Sequence, residues 1–163
     1  PSVVREFRQV PPQGGIVGFV GKEWRRKGLP LAVKIVAQLR QTRPDLELWV
    51  VGPDAQEVQH LFSGWDGGYK LLGWCSDNAY LCEMDVLLHP AKAEPYGMVI
   101  SEAMAARVPV VVSDACGAAA QVKAESGQVV PLSSLVEFWV SVVKTELART
   151  LPPPQFVHDW RQV

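Results

Sequence analysis

The sequence predicts an α/β domain built on a doubly wound parallel sheet, and three observations support that prediction. Short apolar runs alternate with amphipathic stretches from residue 15 onward, as strands and helices do in a parallel sheet covered on both faces. The strand candidates are continuous apolar runs, which is typical of strands buried on both faces. The length of 163 residues is that of one domain, since domains run roughly 100–200 residues.

Six apolar runs are predicted to be strands, at residues 16–20, 46–51, 69–72, 86–89, 108–112 and 127–130. Helices are predicted at residues 30–41, 55–62, 77–83, 99–106, 133–149 and 156–163. Pro30 suits the first turn of its helix. Asp54 is the expected N-cap of the second helix, and Ser133 or Ser134 that of the fifth. Right-handed crossovers then favour the strand order 3-2-1-4-5-6.

The helix predicted over residues 133–149 has an apolar side that should face the sheet. Its members are Leu135, Phe138, Trp139, Val142 and Val143. Residues 1–14 contain several Pro and Gly residues and little apolar pattern, so we expect a linker there and a folded domain over residues 15–163. The first residue is Pro1 rather than Met, which indicates a fragment or a processed chain.

Composition excludes several classes of function. Lys plus Arg number 16 and Asp plus Glu 17, so the net charge of −1 lacks the basic excess of nucleic-acid-binding domains. Three cysteines without C-x-x-C spacing favour a reducing compartment over a disulfide scaffold. There is no signal segment and no apolar run of the ~18 residues that a membrane span needs.

Ligands of such sheets bind beyond the carboxyl ends of the strands, where the strand order reverses. Here that point lies between strands 1 and 4. The first loop (residues 21–28) and the second loop (residues 90–98) should therefore face each other across a crevice. The first loop begins at Gly21 and carries Lys22 and Lys27, which are able to hold a diphosphate.

The second loop leads into a helix at Gly97. The amides of Gly97, Met98 and Val99 should be unpaired donors of the first turn, which attract phosphate. Glu102 is placed to accept hydrogen bonds from a ribose diol, and Glu94 to face the far side of the phosphates. Lysines in such loops are usually solvated, and acids near a helix start usually just favour its dipole. The convergence of all these residues at one crevice favours the anion site.

Other chemistries lack their motifs. The glycines at residues 14–21 do not have G-x-G-x-x-G spacing and lie before and within the strand rather than after it. There is no P-loop, no G-x-S-x-G turn and no H-E-x-x-H. No Asp-x-Asp pair is present to hold a metal with a diphosphate, so no metal site and no cofactor are predicted.

These motifs resemble the retaining, two-domain glycosyltransferases of family 4, or group 1. Residues 19–28, FVGKEWRRKG, are similar to the family motif F-x-G-R-x-x-x-x-K-G, with Lys22 at the Arg position and Lys27 at the Lys position. Residues 94–105, EPYGMVISEAMA, are similar to its E-x7-E motif and following helix. Residues 108–114, 126–131 and 159–161 continue the resemblance, which covers nearly everything from residue 15 onward. VLLHPA at residues 86–91, followed later by Cys116 and Gly117, resembles the subgroup that adds glucose to the lipopolysaccharide core.

The resemblance implies a Rossmann-like fold, one half of a GT-B glycosyltransferase. It implies a nucleotide-diphosphate sugar as donor, with a UDP-sugar favoured, and retention of the anomeric configuration. Lys22 and Lys27 would bind the diphosphate, Glu94 the donor sugar, and the amides at residues 97–99 the phosphates or sugar hydroxyls. Glu102 would bind the ribose. Backbone near Gly73 and Trp74 would line the base.

The resemblance also implies a second, N-terminal domain that binds the acceptor. This chain has no room for it, so we expect weak binding of nucleotide diphosphate and no useful transfer by the chain alone. The expected location is cytoplasmic, with any membrane contact made through the other half. Two departures from the family pattern bear on the structure: Lys22 replaces a bidentate Arg, and Arg107 stands where a helix-ending Gly is common.

Three alternatives stay open at this stage. The first is a nucleotide-sugar-binding module without catalysis, and the second is another GT-B enzyme such as an epimerase or a phosphorylase. A phosphorylase would need a lysine for a covalent cofactor, and nothing in the sequence singles one out. The third is a flavodoxin-like or receiver-like regulatory domain. A receiver would need an acidic cluster at the strand ends, which this sequence lacks.

Overall fold

Strand order determines where the site lies, and it is as predicted. A computed structural model describes residues 3–157, which form one six-stranded parallel sheet in the order β3-β2-β1-β4-β5-β6. The strands are β1 Gly14–Val20, β2 Asp45–Val51, β3 Tyr69–Gly73, β4 Val86–His89, β5 Val110–Ser113 and β6 Gly127–Val130. The fold class predicted from the sequence is confirmed. Since β1 pairs with β4, the first and second loops leave neighbouring strands at the switch point.

Helices cover both faces of this sheet. The α-helices within the described residues are α1 Leu29–Arg40, α2 Ala55–Val58, α3 Met98–Ala105 and α4 Val136–Leu147. Short 3-10 helices span Gln59–Phe62, Ala79–Glu83 and Gly117–Gln121. One core cluster, with Phe19 and Trp139, lies on the α1 and α4 side, and a second, with Met84 and Met104, lies on the α3 side. Burial on both faces explains why the strands are continuously apolar.

One of the two predicted helix caps is wrong. The segment expected to be one helix over residues 55–62 is α2 followed by a 3-10 turn; Asp54 is the N-cap residue of α2, as predicted, although its side chain makes no capping hydrogen bond. The Asp54 carbonyl instead accepts from the amide of Glu57 at 3.0 Å. α4 begins at Val136 with Leu135 as its N-cap residue, so neither Ser133 nor Ser134 caps it.

The apolar side predicted for α4 is only partly buried. Trp139, Val142 and Val143 lie in the core, together with Leu147 one turn further on. Leu135 is 74% exposed and Phe138 is 50% exposed. Leu135 precedes the first helical turn, which removes it from the buried stripe. The helix predicted over residues 156–163 is not present at residues 156–157, and its remainder lies outside the described residues.

Residues 3–13 contain no helix or strand, yet they pack against the amino end of the sheet. Arg5 is 5% exposed and pairs with Asp85, whose carboxylate also binds Arg8 Nε at 2.9 Å and the Ile16 amide at 2.8 Å. The linker over residues 1–14 stays a prediction, and its described part is attached to the domain. No α-helix within residues 3–157 has the length and apolar character of a membrane span.

Candidate functional site

The first and second loops touch through their backbones. The amide of Lys92 donates to the carbonyl of Arg26 at 2.9 Å. Gly28 has a φ of 87° and lies so close to the second loop that a Cβ there would be 2.0 Å from the carbonyl oxygen of Pro90. Only glycine fits a left-handed position with no space for a side chain. The two loops therefore form one wall, as the topology predicts.

Glu94 is the point where side chains from both loops meet. Its Oε1 lies 3.1 Å from Lys27 Nζ and 3.2 Å from His89 Nε2, and its Oε2 lies 3.4 Å from Arg26 Nη1. Arg26 also donates to the carbonyl of Ala93 at 2.7 Å. The Glu94 side chain is 8% exposed, so the carboxylate is largely removed from water but has three nitrogen partners.

These contacts set the charge states. Burial raises the pKa of Glu94. The hydrogen bond and the charge of Lys27, followed by the contact with His89, lower it by more, so the net pKa is below its ordinary 4.5. Burial lowers the pKa of His89 to about 4, against a smaller opposing effect of Glu94. At neutral pH the Glu94 carboxylate is therefore ionised and the His89 imidazole is neutral.

Gly97 brings the start of α3 to the same place. It has a φ of 100° and precedes the first helical residue, Met98. A Cβ at Gly97 would lie 3.2 Å from Cγ of Glu94. Glu94 thus contacts Lys27 on one side and lies against the helix start on the other. The predicted cation, the predicted carboxylate and the predicted amide end of the helix are close together.

Gly21 and Lys22 lie at the other end of the first loop. The side chain of Lys27 packs directly against Gly21, since a Cβ at Gly21 would be 2.2 Å from Cδ of Lys27. Lys22 is exposed, and its side chain makes no ion pair within residues 3–157. Its backbone nitrogen would be 2.8 Å from a Cβ at Gly52, so the first loop runs directly over the end of β2. Lys22 is not part of the group around Glu94.

Glu102 occupies a separate subsite on α3. Its Oε2 accepts from Asn78 Nδ2 at 3.4 Å, and it lies near Tyr80, whose pKa is raised to about 12 by burial and then by the Glu102 charge.

Gly73 ends β3, and its carbonyl accepts from the Gly52 amide at 2.8 Å. Trp74 is 70% exposed, so its indole ring is open to solvent.

A cleft of about 520 Å³ lies on the opposite side of Glu94. It separates the second loop from the loop after β5, and its lining includes Lys92, Glu94 and Asp114. Two backbone hydrogen bonds join these loops. The Glu94 amide donates to the Ala115 carbonyl at 3.2 Å, and the Gly117 amide donates to the Glu94 carbonyl at 3.0 Å. The second loop is therefore held from both sides.

Sequence reasoning missed three members of this site. Arg26 lies in the first loop with no role assigned from the sequence, and for His89 the sequence does not decide between a packed ring and a neighbour of the site. The signal for His89 was its place as the polar end of an otherwise apolar strand. Asn78 had no signal, because its contact with Glu102 depends on the path of the chain between β3 and β4.

No three His, Cys, Asp or Glu side chains come together as a metal ion would require in the part of the chain that the structure describes. The carboxylate oxygens of Glu94 already contact three cationic or imidazole nitrogens, those of Arg26, Lys27 and His89.

Comparisons with known proteins place this geometry in a family. The family described as "Glycosyl transferases group 1" matches residues 14–145. The lipopolysaccharide glucosyltransferase WaaG of Escherichia coli (strain K12) is 28% identical over 71% of this chain and 32% of its own length. The lipopolysaccharide core biosynthesis glycosyltransferase LpsE of Rhizobium meliloti (strain 1021) is 31% identical over 68% of this chain and 33% of its own.

The solved structures agree with the sequences. The crystal structure of WaaG, described as a glycosyltransferase involved in lipopolysaccharide biosynthesis, superimposes with a TM-score of 0.76 and 26% identity over 86% of this chain and 40% of that one. The chain spans about a third of the length of the curated relatives it matches. With the family match covering residues 14–145 and the two loops meeting at the switch point of the expected fold, the chain belongs to the group 1 glycosyl transferases.

Proposed function

We propose that this chain is the donor-binding domain of a retaining glycosyltransferase. It would bind a nucleotide-diphosphate sugar, with a UDP-sugar favoured, for transfer to a glycan or lipid-linked acceptor in the synthesis of lipopolysaccharide or another surface polysaccharide. The observation that carries the proposal is the contact of Lys27 with Glu94 beside the amide end of α3. A cation, an acceptor for sugar hydroxyls and a set of helix-end donors are the groups that such a ligand needs.

The diphosphate lies, in this proposal, between the first loop and the start of α3. Lys27 has a side chain 21% exposed and can contact a phosphate oxygen while keeping its bond to Glu94, since an ammonium group has three donors. Lys22 adds a second, exposed charge, and the amides at residues 97–99 add donors and the helix dipole. Together these groups stabilise the charge that develops on the diphosphate as it departs.

Transfer with retention needs no protein nucleophile here. The bond between the anomeric carbon and the phosphate oxygen breaks while the acceptor oxygen bonds to the same face of the sugar. The acceptor proton passes to an oxygen of the departing phosphate. The role of Lys22, Lys27 and Glu94 is to bind and orient the donor, and that of the two lysines is also to stabilise the leaving group.

The remaining subsites follow the strand ends across the sheet. Glu102, held by Asn78, would bind the ribose hydroxyls. Backbone at Gly73 and the exposed indole of Trp74 would line the base. The acceptor would be bound by a second, N-terminal domain of the complete cytoplasmic protein, and any membrane contact would be made through that domain.

Calorimetric titration with UDP, GDP and ADP tests the proposal. We expect a dissociation constant between tens of micromolar and millimolar, or about −4 to −6 kcal/mol, for at least one of them. Lys27→Ala and Glu102→Ala should each weaken binding at least about tenfold, since each loses a charged hydrogen bond. Lys34→Ala, which removes an exposed lysine of α1, is the matched control. Unimpaired binding in both site variants, with unchanged circular dichroism, would contradict the proposal.

The full-length protein distinguishes a transferase from a binding module. If this chain is half of an enzyme, the complete protein should transfer sugar to an acceptor, and the chain alone should not. Binding of a nucleotide sugar without transfer by the complete protein would favour the module.

A further inference from the structure

His89 is a polar residue at a position where the fold needs an apolar one. It ends β4, whose other residues are Val86, Leu87 and Leu88, and its side chain is 0% exposed. A buried imidazole costs free energy unless it is hydrogen-bonded. Packing alone would be served better by leucine or valine at this strand end.

The ring is satisfied on one side only. Nε2 lies 3.2 Å from Oε1 of Glu94, and Nδ1 is buried without a hydrogen-bond partner in the described residues. Because burial lowers the pKa of His89 to about 4, the ring is neutral and has one proton. A carboxylate only accepts, so the proton lies on Nε2 and Nδ1 keeps a bare lone pair. A buried acceptor left without a partner destabilises the folded chain.

The other partners of Glu94 are less constrained. Lys27 and Arg26 are long side chains on a loop and are 21% and 37% exposed. Long side chains have many rotamers, and each loses entropy when it is fixed. His89 projects from a central strand and is enclosed by the core, so among the three it is the contact with a fixed position.

We propose that His89 is a positioning residue, whose Nε2–H holds Oε1 of Glu94 and so fixes the direction in which that carboxylate meets the donor sugar. The contact itself is independent of any ligand, while its purpose rests on the function proposed above. His89 touches no substrate in this proposal and acts only through Glu94.

Two substitutions separate positioning from packing. His89→Leu fills the space without a donor, and His89→Gln places an amide nitrogen near the position of Nε2. A packing role predicts that leucine is tolerated at least as well as glutamine, because the site is buried. A positioning role predicts the reverse: glutamine should preserve the pKa of Glu94 and the contribution of the donor sugar to affinity better than leucine does. Thermal unfolding checks that each variant is folded.

Carbon-detected NMR titration of the Glu94 carboxyl gives a readout that needs no ligand, with Glu94→Gln to assign the signal. We expect the pKa of Glu94 to rise in His89→Leu and to stay near the wild-type value in His89→Gln. The nitrogen shifts of His89 in the wild-type chain should show the Nε2–H tautomer, a result that requires no variant. An Nδ1–H tautomer, or the same pKa of Glu94 in His89→Leu as in the wild type, would overturn the proposal.

Titration with UDP and UDP-glucose tests the purpose of the contact. The ratio of the two affinities measures what the sugar adds. It should fall about 3- to 10-fold in His89→Leu and recover in His89→Gln, with UDP affinity unchanged in both, since one hydrogen bond to the sugar is misplaced. Equal ratios in all three proteins would overturn positioning toward the sugar. If the wild-type chain binds no nucleotide, the proposed function fails. The tautomer of His89 and the pKa of Glu94 still show whether His89 donates to Glu94.

Discussion

Lys27 Nζ lies 3.1 Å from Oε1 of Glu94, which joins the loop after β1 to the loop after β4 by an ion pair. The pair is possible because β1 and β4 are neighbours in the sheet although β2 and β3 separate them in the chain. It turns two loops into one pocket wall, and the candidate site depends on it.

Gly21→Ala should weaken diphosphate binding without unfolding the protein. The new methyl group would be 2.2 Å from Cδ of Lys27, and a flexible lysine can move away at little cost in stability. We expect affinity for UDP to fall about 3- to 10-fold, as for a displaced charged hydrogen bond. In a Lys27→Ala background the same substitution should have no further effect, because the side chain it displaces is already gone. Additive losses would contradict this explanation.

Gly28→Ala should destabilise the fold strongly. Gly28 has a φ of 87°, and the methyl group would be 2.0 Å from a backbone oxygen of Pro90 that cannot move without separating the loops. Gly64 has the same φ of 87° with open space around it, so Gly64→Ala measures the conformational cost alone, about 1–2 kcal/mol. Urea denaturation should show a clearly larger loss for Gly28→Ala. Equal losses would mean that the two loops are not in close contact.

His89 should make the protein less stable in mild acid. Its pKa is 6.5 when unfolded and about 4 when folded, so between these values the unfolded chain takes up a proton that the folded chain does not. The free energy of unfolding should therefore fall by about 2–3 kcal/mol between pH 7.5 and pH 4.5 from this group alone.

Comparison with His89→Leu isolates that contribution, because other groups titrate in both proteins. The variant should lose less stability over the same range in chemical denaturation. The lowered pKa of Glu94 adds its own loss, which begins near its ordinary value of 4.5 at the acid end of this range and grows as pH falls through the folded pKa. Parallel stability curves for the two proteins would contradict a buried, neutral His89.

Arg107→Gly should stabilise the protein. Arg107 follows α3 with a φ of 61°, the conformation for which glycine is favoured, and its Nε is buried without a partner in the described residues. We expect a gain of about 0.5–1 kcal/mol in thermal or chemical denaturation. Arg107→Ala removes the buried Nε but keeps the backbone strain, so it should be less stable than the glycine variant. The opposite order would show that the stability change comes from the Arg107 side chain rather than from its backbone conformation.

Asp85→Asn should be costly because it leaves Arg5 as a buried charge. The Arg5 side chain is 4% exposed, and removing one partner of a buried pair typically costs about 3–5 kcal/mol. Arg8 contacts the same carboxylate but is 46% exposed, so Arg8→Ala should cost less than about 1 kcal/mol. A small loss for Asp85→Asn would indicate that residues 3–13 are not anchored as described.

The sequence was sufficient for the sheet order and for the meeting of the two loops, because both follow from strand sequence and the handedness of crossovers. It was sufficient for the N-cap position of Asp54 but not for that of α4: Ser133 and Ser134 are good capping residues, but the helix begins later, with Leu135 as its N-cap residue. The contacts of Arg26 and Asn78 could not be predicted, since they join loops whose relative distance depends on coordinates. The attachment of residues 3–13 to the domain could not be predicted for the same reason, because Arg5 and Asp85 are far apart in the chain.

The most direct test of the central claim is amide and side-chain NMR during titration with UDP. If one pocket holds the diphosphate, the Lys27 ammonium signal and the amides of Gly97, Met98 and Val99 should shift together and give a single dissociation constant. Lys34, an exposed residue of α1, should not shift. Shifts confined to one of the two loops, or two different constants for Lys27 and the start of α3, would contradict the account.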